Sequence, residues 1–298
     1  MKDGLADPPQ PLPSGGGRWH RAPRLFALSD LHVDHRDAFE ALEALPAHPH
    51  DGLILAGDVG DSVASLERTL SLLAPRWARL FWVPGNHELW TVRRTGETDR
   101  GLARYENLLE CCRAHGVLTP EDAYLEWPGA RVARAGGDRP VAIAPTFTLY
   151  DYSFCPDGMT PSEARAWALA DGIVASDEAL LHPDPYPDRE SWCAARLAAT
   201  EPRLEERSRT HALVIVNHWP LRRDLVRIPR VPRYAPWCGT RRTEDWHIRF
   251  DAAVVVTGHL HVRATDVRDG VRFEEVSIGY PRDWDRSRGL ERYLRRIL

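Results

Sequence analysis

Five times along this 298-residue chain a short apolar run stops at a carboxylate, an amide or an imidazole. Leu25-Phe26-Ala27-Leu28 leads into Ser29-Asp30-Leu31-His32, and Leu53-Ile54-Leu55-Ala56 into Gly57-Asp58. Leu80-Phe81-Trp82-Val83 leads into Pro84-Gly85-Asn86-His87-Glu88, Leu213-Val214-Ile215-Val216 into Asn217-His218, and Ala253-Val254-Val255-Val256 into Thr257-Gly258-His259-Leu260-His261. Short runs without polar alternation read as strands buried on both faces. Between the first three lie helical patterns: Phe39, Leu42 and Leu45 up to Pro46, then Leu66, Leu70 and Leu73 up to Pro75, the second with Ser62 as its N-cap. Strand, polar turn and helix in repetition is the pattern of an α/β architecture, which collects ligands at the carboxyl ends of its strands.

The rest of the chain is expected to complete that frame. A helical pattern spans Gly101 to His115, and short strands run from Tyr124 to Pro145 with breaks at Pro128-Gly129 and Gly136-Gly137-Asp138. Residues 146–208, irregular except for a helix from Arg189 to Arg207, are expected to form a cap insertion over the site. A basic loop from Arg222 to Arg242 precedes a helix near Glu244 to Phe250. Arg263 to Val267 and Val271 to Ile278 flank the hairpin signal Arg268-Asp269-Gly270, and a basic helix is expected from Arg286 onward. Residues 1–22, rich in Pro and Gly, read as a flexible tail, leaving 23–298 as a single domain.

Composition narrows the function. A formal net charge of −4 gives no electrostatic reason to bind nucleic acid, and no run approaches the ~18 apolar residues of a membrane span. The five cysteines form no C-x-x-C pair, which points away from disulfides and structural zinc and toward a cytoplasmic protein.

Asp30 and His32 are two residues apart, so in extended backbone they face the same side and can meet one ion. His259 and His261 repeat that spacing. Taken in order, D-x-H, G-D-x-x-D, G-N-H-E, a strand ending in N-H, and G-H-x-H resemble the calcineurin-like metallophosphoesterase superfamily over residues 25–262. The resemblance implies a four-layer αββα sandwich carrying a dinuclear metal site. It implies Asp30, His32 and His261 on the first ion, Asn86, His218 and His259 on the second, and Asp58 between them. Carboxylate, imidazole and amide oxygen suit hard to borderline divalent ions, with Mn²⁺ first and Fe²⁺, Zn²⁺, Ni²⁺ or Co²⁺ as alternatives.

Two such ions ~3.5–4 Å apart would clamp phosphoryl oxygens and make a hydroxide available to attack phosphorus. The resemblance makes His87 the acid for the leaving group and Asp61 the carboxylate that orients it; the alternative for both is a structural hydrogen bond. Ser62 stands where protein Ser/Thr phosphatases have Arg, and Asp61 follows where purple acid phosphatases have a Tyr ligand. Arg93, Arg94, Arg222 and Arg223 are candidates for the substrate phosphate, with solvated surface charge as the alternative. Tyr150, Tyr152, Trp219 and Trp237 could stack on substrate or pack the cap. The favoured function is hydrolysis of a small phosphomonoester. The competing readings are a phosphodiesterase on cyclic nucleotides or nucleic acid, and a non-catalytic scaffold on the same fold. The oligomeric state is left open.

Overall fold

The computed structural model describes residues 22–298, so the tail expected at the N-terminus lies outside the described residues save for Ala22. Two sheets face each other. In the first, β1 (Leu25–Leu28), β2 (His48–Leu55) and β3 (Trp77–Trp82) run parallel in that order. The second has six strands: β4 (Leu125–Arg134), β5 (Gly137–Pro145), β6 (Ala212–Val216), β7 (Ala252–Thr257), then β9 (Val271–Glu275) with β8 (Thr265–Arg268) at its edge. β5, β6, β7 and β9 are parallel, while β4 and β8 close the edges as antiparallel hairpin partners.

Side-chain alternation explains why the sheets stack. Leu25, Ala27, Ile54, Ala56, Phe81 and Val83 point inward from the first sheet and meet Val141, Ile143, Val214, Val216, Val254 and Val256 from the second. The residues between them, Phe26, Leu28, Leu53, Leu55, Leu80 and Trp82 on one sheet and Ala142, Ala144, Leu213, Ile215 and Val255 on the other, face outward. The outward face of the first sheet is covered by α1 (Arg36–Glu43), α2 (Val63–Leu73) and α4 (Gly101–Ala114) through Leu42, Leu66, Leu70 and Leu108. This is the αββα arrangement: strands buried on both faces need helices outside each sheet.

After β5 the segment expected as a cap insertion packs many of its apolar side chains into the core. Thr146 to Tyr150, Tyr152 and Phe154 are buried; the rings of Phe147, Tyr150 and Tyr152 join the core beneath α7 (Arg189–Ser208), and Phe154 packs with Cys238 and Leu260. α5 (Pro161–Leu169) and α6 (Asp177–Leu180) lie between. α6 packs onto α3 (Asn86–Leu89): Thr91 N–H donates to Leu180 O at 2.9 Å, and Trp90 bridges to Leu181.

The basic helix expected from Arg286 does not form. Gly289, at φ 71°, separates two 3-10 turns, Arg286–Arg288 and Leu290–Tyr293, and the chain ends as β10 (Arg295–Arg296), antiparallel on β1. Pairing there buries Ile297, which a solvated helix would expose. The helix expected over 244–250 is the single turn α8 (Trp246–Arg249). Strand β9 stops at Glu275, and a bridge from Ser277 to Ser29 joins the two sheets beside the end of β1. Among the described residues no helix is long and apolar enough to cross a membrane.

Candidate metal centre

The polar strand ends converge where the two sheets meet. Asp30 and His32 leave β1, Asp58 leaves β2, Asn86 and His87 follow β3, His218 follows β6, and His259 and His261 follow β7. Asp30, His32, Asp58, His259 and His261 all have φ between 46° and 76°, the left-handed region that non-glycine residues rarely hold. Such conformations cost energy, and their gathering at one point marks a site whose geometry overrides local preference.

Glycines permit the approach. A Cβ on Gly85 would fall 2.0 Å from Asp58 Oδ1, and one on Gly258 would fall 2.0 Å from Ser29 Oγ and 2.6 Å from Asp30 Oδ2. Any larger residue would push a carboxylate out of the cluster.

Three overlapping groups result: Asp30, His32 and His261; His32, Asp58 and His87; and Asp58, His218 and His259, each with ligand atoms within 4.8 Å of one another. His261 Nε2 lies 3.0 Å from Asp30 Oδ1 and 3.2 Å from His32 Nε2. On the other side, His259 Nδ1 lies 3.2 Å from both Asn86 Oδ1 and His218 Nε2. His218 Nδ1–H donates to Ala56 O at 2.8 Å, which turns Nε2 toward Asp58 Oδ2 at 3.5 Å. Asp58 thus stands between the two halves.

The donor set fits divalent ions. Two imidazole nitrogens facing each other at 3.2 Å share no useful hydrogen bond when both carry lone pairs, but both can bind one cation. Burial holds the pKa of His32 and His259 down to about 3, reinforced by His87 for the first and His218 for the second, so both rings are neutral and their nitrogens could ligate a cation. Burial alone would raise the carboxyls of Asp30 and Asp58, yet the imidazoles of His261 and His218 hold both below the usual range, so they are carboxylates.

His87 sits differently. Its Nδ1 is 2.8 Å from Asp61 Oδ1, its Nε2 is 3.9 Å from Asp58 Oδ2, and its backbone N–H donates to Asp58 Oδ1 at 3.0 Å. Burial would lower its pKa, but Asp58 and the hydrogen-bonded Asp61 outweigh that and push it up to about 9. Asp61 also pairs with Arg94 at the exposed rim. Asp34 accepts from Asp61 N–H at 2.6 Å and Ser65 Oγ–H at 2.6 Å, holding the Asp61 turn.

The other candidate substrate contacts divide. Arg93 is exposed beside Arg94. Arg222 bonds to Asp224 and Glu244 O, and Arg223 to Phe154 O at 3.0 Å, so their hydrogen bonds tie down the loop after β6 rather than reach the cluster. Tyr150 and Trp219 are fully buried, and Trp219 lies against Phe147 and beside His218, so they support the site from within. Tyr152 and Trp237 are also buried, and both bond to Glu178.

Four residues not singled out from the sequence shape the centre. Glu88 accepts the N–H groups of Asp58, Val59 and Gly85 at 2.8–2.9 Å, locking the β2 and β3 turns together. Glu275 does the same for the His259–His261 turn through Leu260 and Arg263 N–H. Burial, then Asp58 for one and Asp30 for the other, raises both carboxyls to about 7. Tyr280 stacks on His32 with centroids 4.3 Å apart and forms the inner wall of a groove of about 360 Å³, lined also by His35, Arg36, Asp37, Pro281 and Arg282. Asp177, from α6, bonds to Asn86. The E of G-N-H-E and the paired carboxylates of Phe273-Glu274-Glu275-Val276 were visible signals in apolar surroundings; Tyr280 and Asp177 carry none.

Comparison with known proteins places this geometry. The model of the calcineurin-like phosphoesterase family matches residues 23–263. The acyl-carrier-protein phosphodiesterase PptH of Mycobacterium tuberculosis is 45% identical over 278 residues, covering 93% of this chain and 83% of that protein. The crystal structure of that enzyme, described as phosphopantetheinyl hydrolase, superimposes with a TM-score of 0.86 over 93% of this chain and 96% of the other.

Proposed function

The chain belongs to the calcineurin-like phosphoesterases and is a metallophosphoesterase, a hydrolase of phosphoric esters, and from that premise we propose that it cleaves a phosphodiester, the one holding a phosphopantetheinyl group on an acyl carrier protein. The observation that carries this reading is the 45% identity to PptH along 93% of the chain. It favours a diester over the small monoester suggested by composition, and a protein-borne diester over cyclic nucleotides or nucleic acid. The groove walled by Tyr280 supports it, because its exposed Arg36 and Arg282 leave room outside the cluster for a substrate larger than a phosphate.

In this reading Asp30, His32, His261 and Asp58 would hold one divalent ion, and Asp58, Asn86, His218 and His259 the other. Bound there, the ions supply Lewis-acid polarisation of the phosphoryl oxygens and an acidified water. Mn²⁺ is our first choice for this all-oxygen-and-nitrogen set. The protein's own part is proton delivery. His87, kept protonated by Asp61 and Asp58, turns Nε2 toward the cluster and gives its proton to the departing alkoxide oxygen, a step worth about 10²- to 10⁴-fold. Asp61, braced by Arg94 and by Asp34 through the backbone, fixes the ring with Nδ1–H directed at itself. All five cysteines are free thiols, which supports a cytoplasmic setting.

Parallel assays with Mn²⁺ on p-nitrophenyl phosphate and bis-p-nitrophenyl phosphate test the diester preference. A higher kcat/KM for the bis ester is expected. Turnover of the monoester alone would return the reading to a phosphomonoesterase.

A further inference from the structure

Asn86 can serve as a ligand only if its amide presents oxygen, not nitrogen, to the cluster. Its Nδ2 donates to Asp177 Oδ1 at 3.0 Å, and its Oδ1 lies 3.2 Å from His259 Nδ1. Asp177 is 91 residues further along the chain, in α6, and fully buried. Asp177 Oδ1 also accepts the Trp90 indole N–H at 2.7 Å, and the Trp90 ring lies 3.7 Å from that of His87. Among the described residues Asp177 Oδ2 makes no close hydrogen bond, and the buried Tyr150 hydroxyl is the group that stabilises the carboxylate there. A carboxylate buried this deeply is costly to keep, and an apolar side chain would fill the space without that cost. The carboxylate does not cap its own helix. The Trp90 indole N–H can only donate, so Asp177 Oδ1 is held as an acceptor and only the NH₂ end of the Asn86 amide can face it.

We propose that Asp177 is a positioning residue for the second metal site, delivered by the segment after β5, which aims the Asn86 carbonyl oxygen at the ion and through Trp90 sets the wall behind His87. The proposal rests on Asn86 being a ligand. It makes the segment between β5 and β6 a structural part of the metal centre, so that loosening α6 loosens one ion of the pair.

The test uses the full chain, stripped of metal and titrated with Mn²⁺, followed by electron paramagnetic resonance alongside kcat and KM on bis-p-nitrophenyl phosphate. Wild type should give a spin-coupled pair. Asp177→Ala should weaken the second Mn²⁺ by about 10- to 100-fold, showing the sextet of an isolated ion at the loading that gives wild type its coupled signal, with kcat falling more than KM rises. Asp177→Asn keeps the acceptor and should restore the coupled pair. Should the Ala variant fail to fold, Asp177→Ser, whose hydroxyl is too short to reach Asn86, takes its place with the same expectation. Coupled ions at wild-type affinity in the Ala or Ser variant, or an Asn variant as defective as the Ala variant, would overturn the proposal. Asn86→Ala run beside them separates the two layers: its loss of the second ion with Asp177→Ala intact overturns the positioning role alone, and its retention of both ions overturns that role together with the ligand assignment.

Discussion

His87 lies between two carboxylates of different duty: Asp61 meets its Nδ1 at 2.8 Å, while Asp58, shared with the metal cluster, faces its Nε2 at 3.9 Å. In the proposed reaction one carboxylate would orient the ring and the other would mark where its proton is needed. Removing the imidazole should therefore leave the metal sites occupied. His87→Ala should lose about 10²- to 10⁴-fold in kcat on a substrate with an alkyl leaving group, and much less on bis-p-nitrophenyl phosphate, whose phenolate departs without a proton. Metal content and kcat on both substrates check this; equal losses on the two would remove His87 from the acid role.

Asp61 raises the pKa of His87, so its removal has a signed consequence. An acid is active while protonated, and its activity is lost as pH rises through its pKa. With Asp61→Asn the pKa of His87 falls from about 9 toward the ordinary imidazole value near ~6.5. The alkaline limb of the kcat profile on a holo-carrier protein should move to lower pH. An unmoved limb would show that another group sets it.

Gly85 has no room for a side chain, since a Cβ would fall 2.0 Å from Asp58 Oδ1 and 2.6 Å from Asp58 N. Gly85→Ala should displace the carboxylate shared by both halves of the cluster and lower the affinity for both ions. Mn²⁺ titration of the folded variant reads this directly.

The groove beside Tyr280 should matter for large substrates only. Arg36 and Arg282 are mostly exposed, at 89% and 78% of their side chains. Reversing both to Glu should reduce kcat/KM on a holo-carrier protein by about tenfold, the scale of a 1.4 kcal/mol loss, while leaving bis-p-nitrophenyl phosphate unchanged. A parallel loss on both substrates would place the effect at the metal centre instead.

The strand frame was legible because each strand and its polar exit lie within a few residues, where periodicity and side-chain type read directly. For the same reason Asp30, His32, Asp58, Asn86, His218, His259 and His261 could be named before their convergence was seen. Asp177 and Tyr280 could not. Each meets the site across a sequence gap, 91 residues from Asn86 for Asp177, and neither sits in a pattern that announces it. Arg222 and Arg223 were misleading in the opposite way, since a basic pair near a motif looks like a phosphate clamp until Glu244 and Phe154 are found holding it. The C-terminus read as a helix from its charge pattern, but Gly289 and the edge of β1 offered a pairing that only the folded sheet contains.

Diester cleavage at this metal centre is tested most directly by the intact mass of a holo-acyl carrier protein after incubation with the enzyme and Mn²⁺. Loss of the whole phosphopantetheinyl group is expected, leaving the apo carrier and free phosphopantetheine. A carrier of unchanged mass, under conditions where p-nitrophenyl phosphate is turned over, would contradict it.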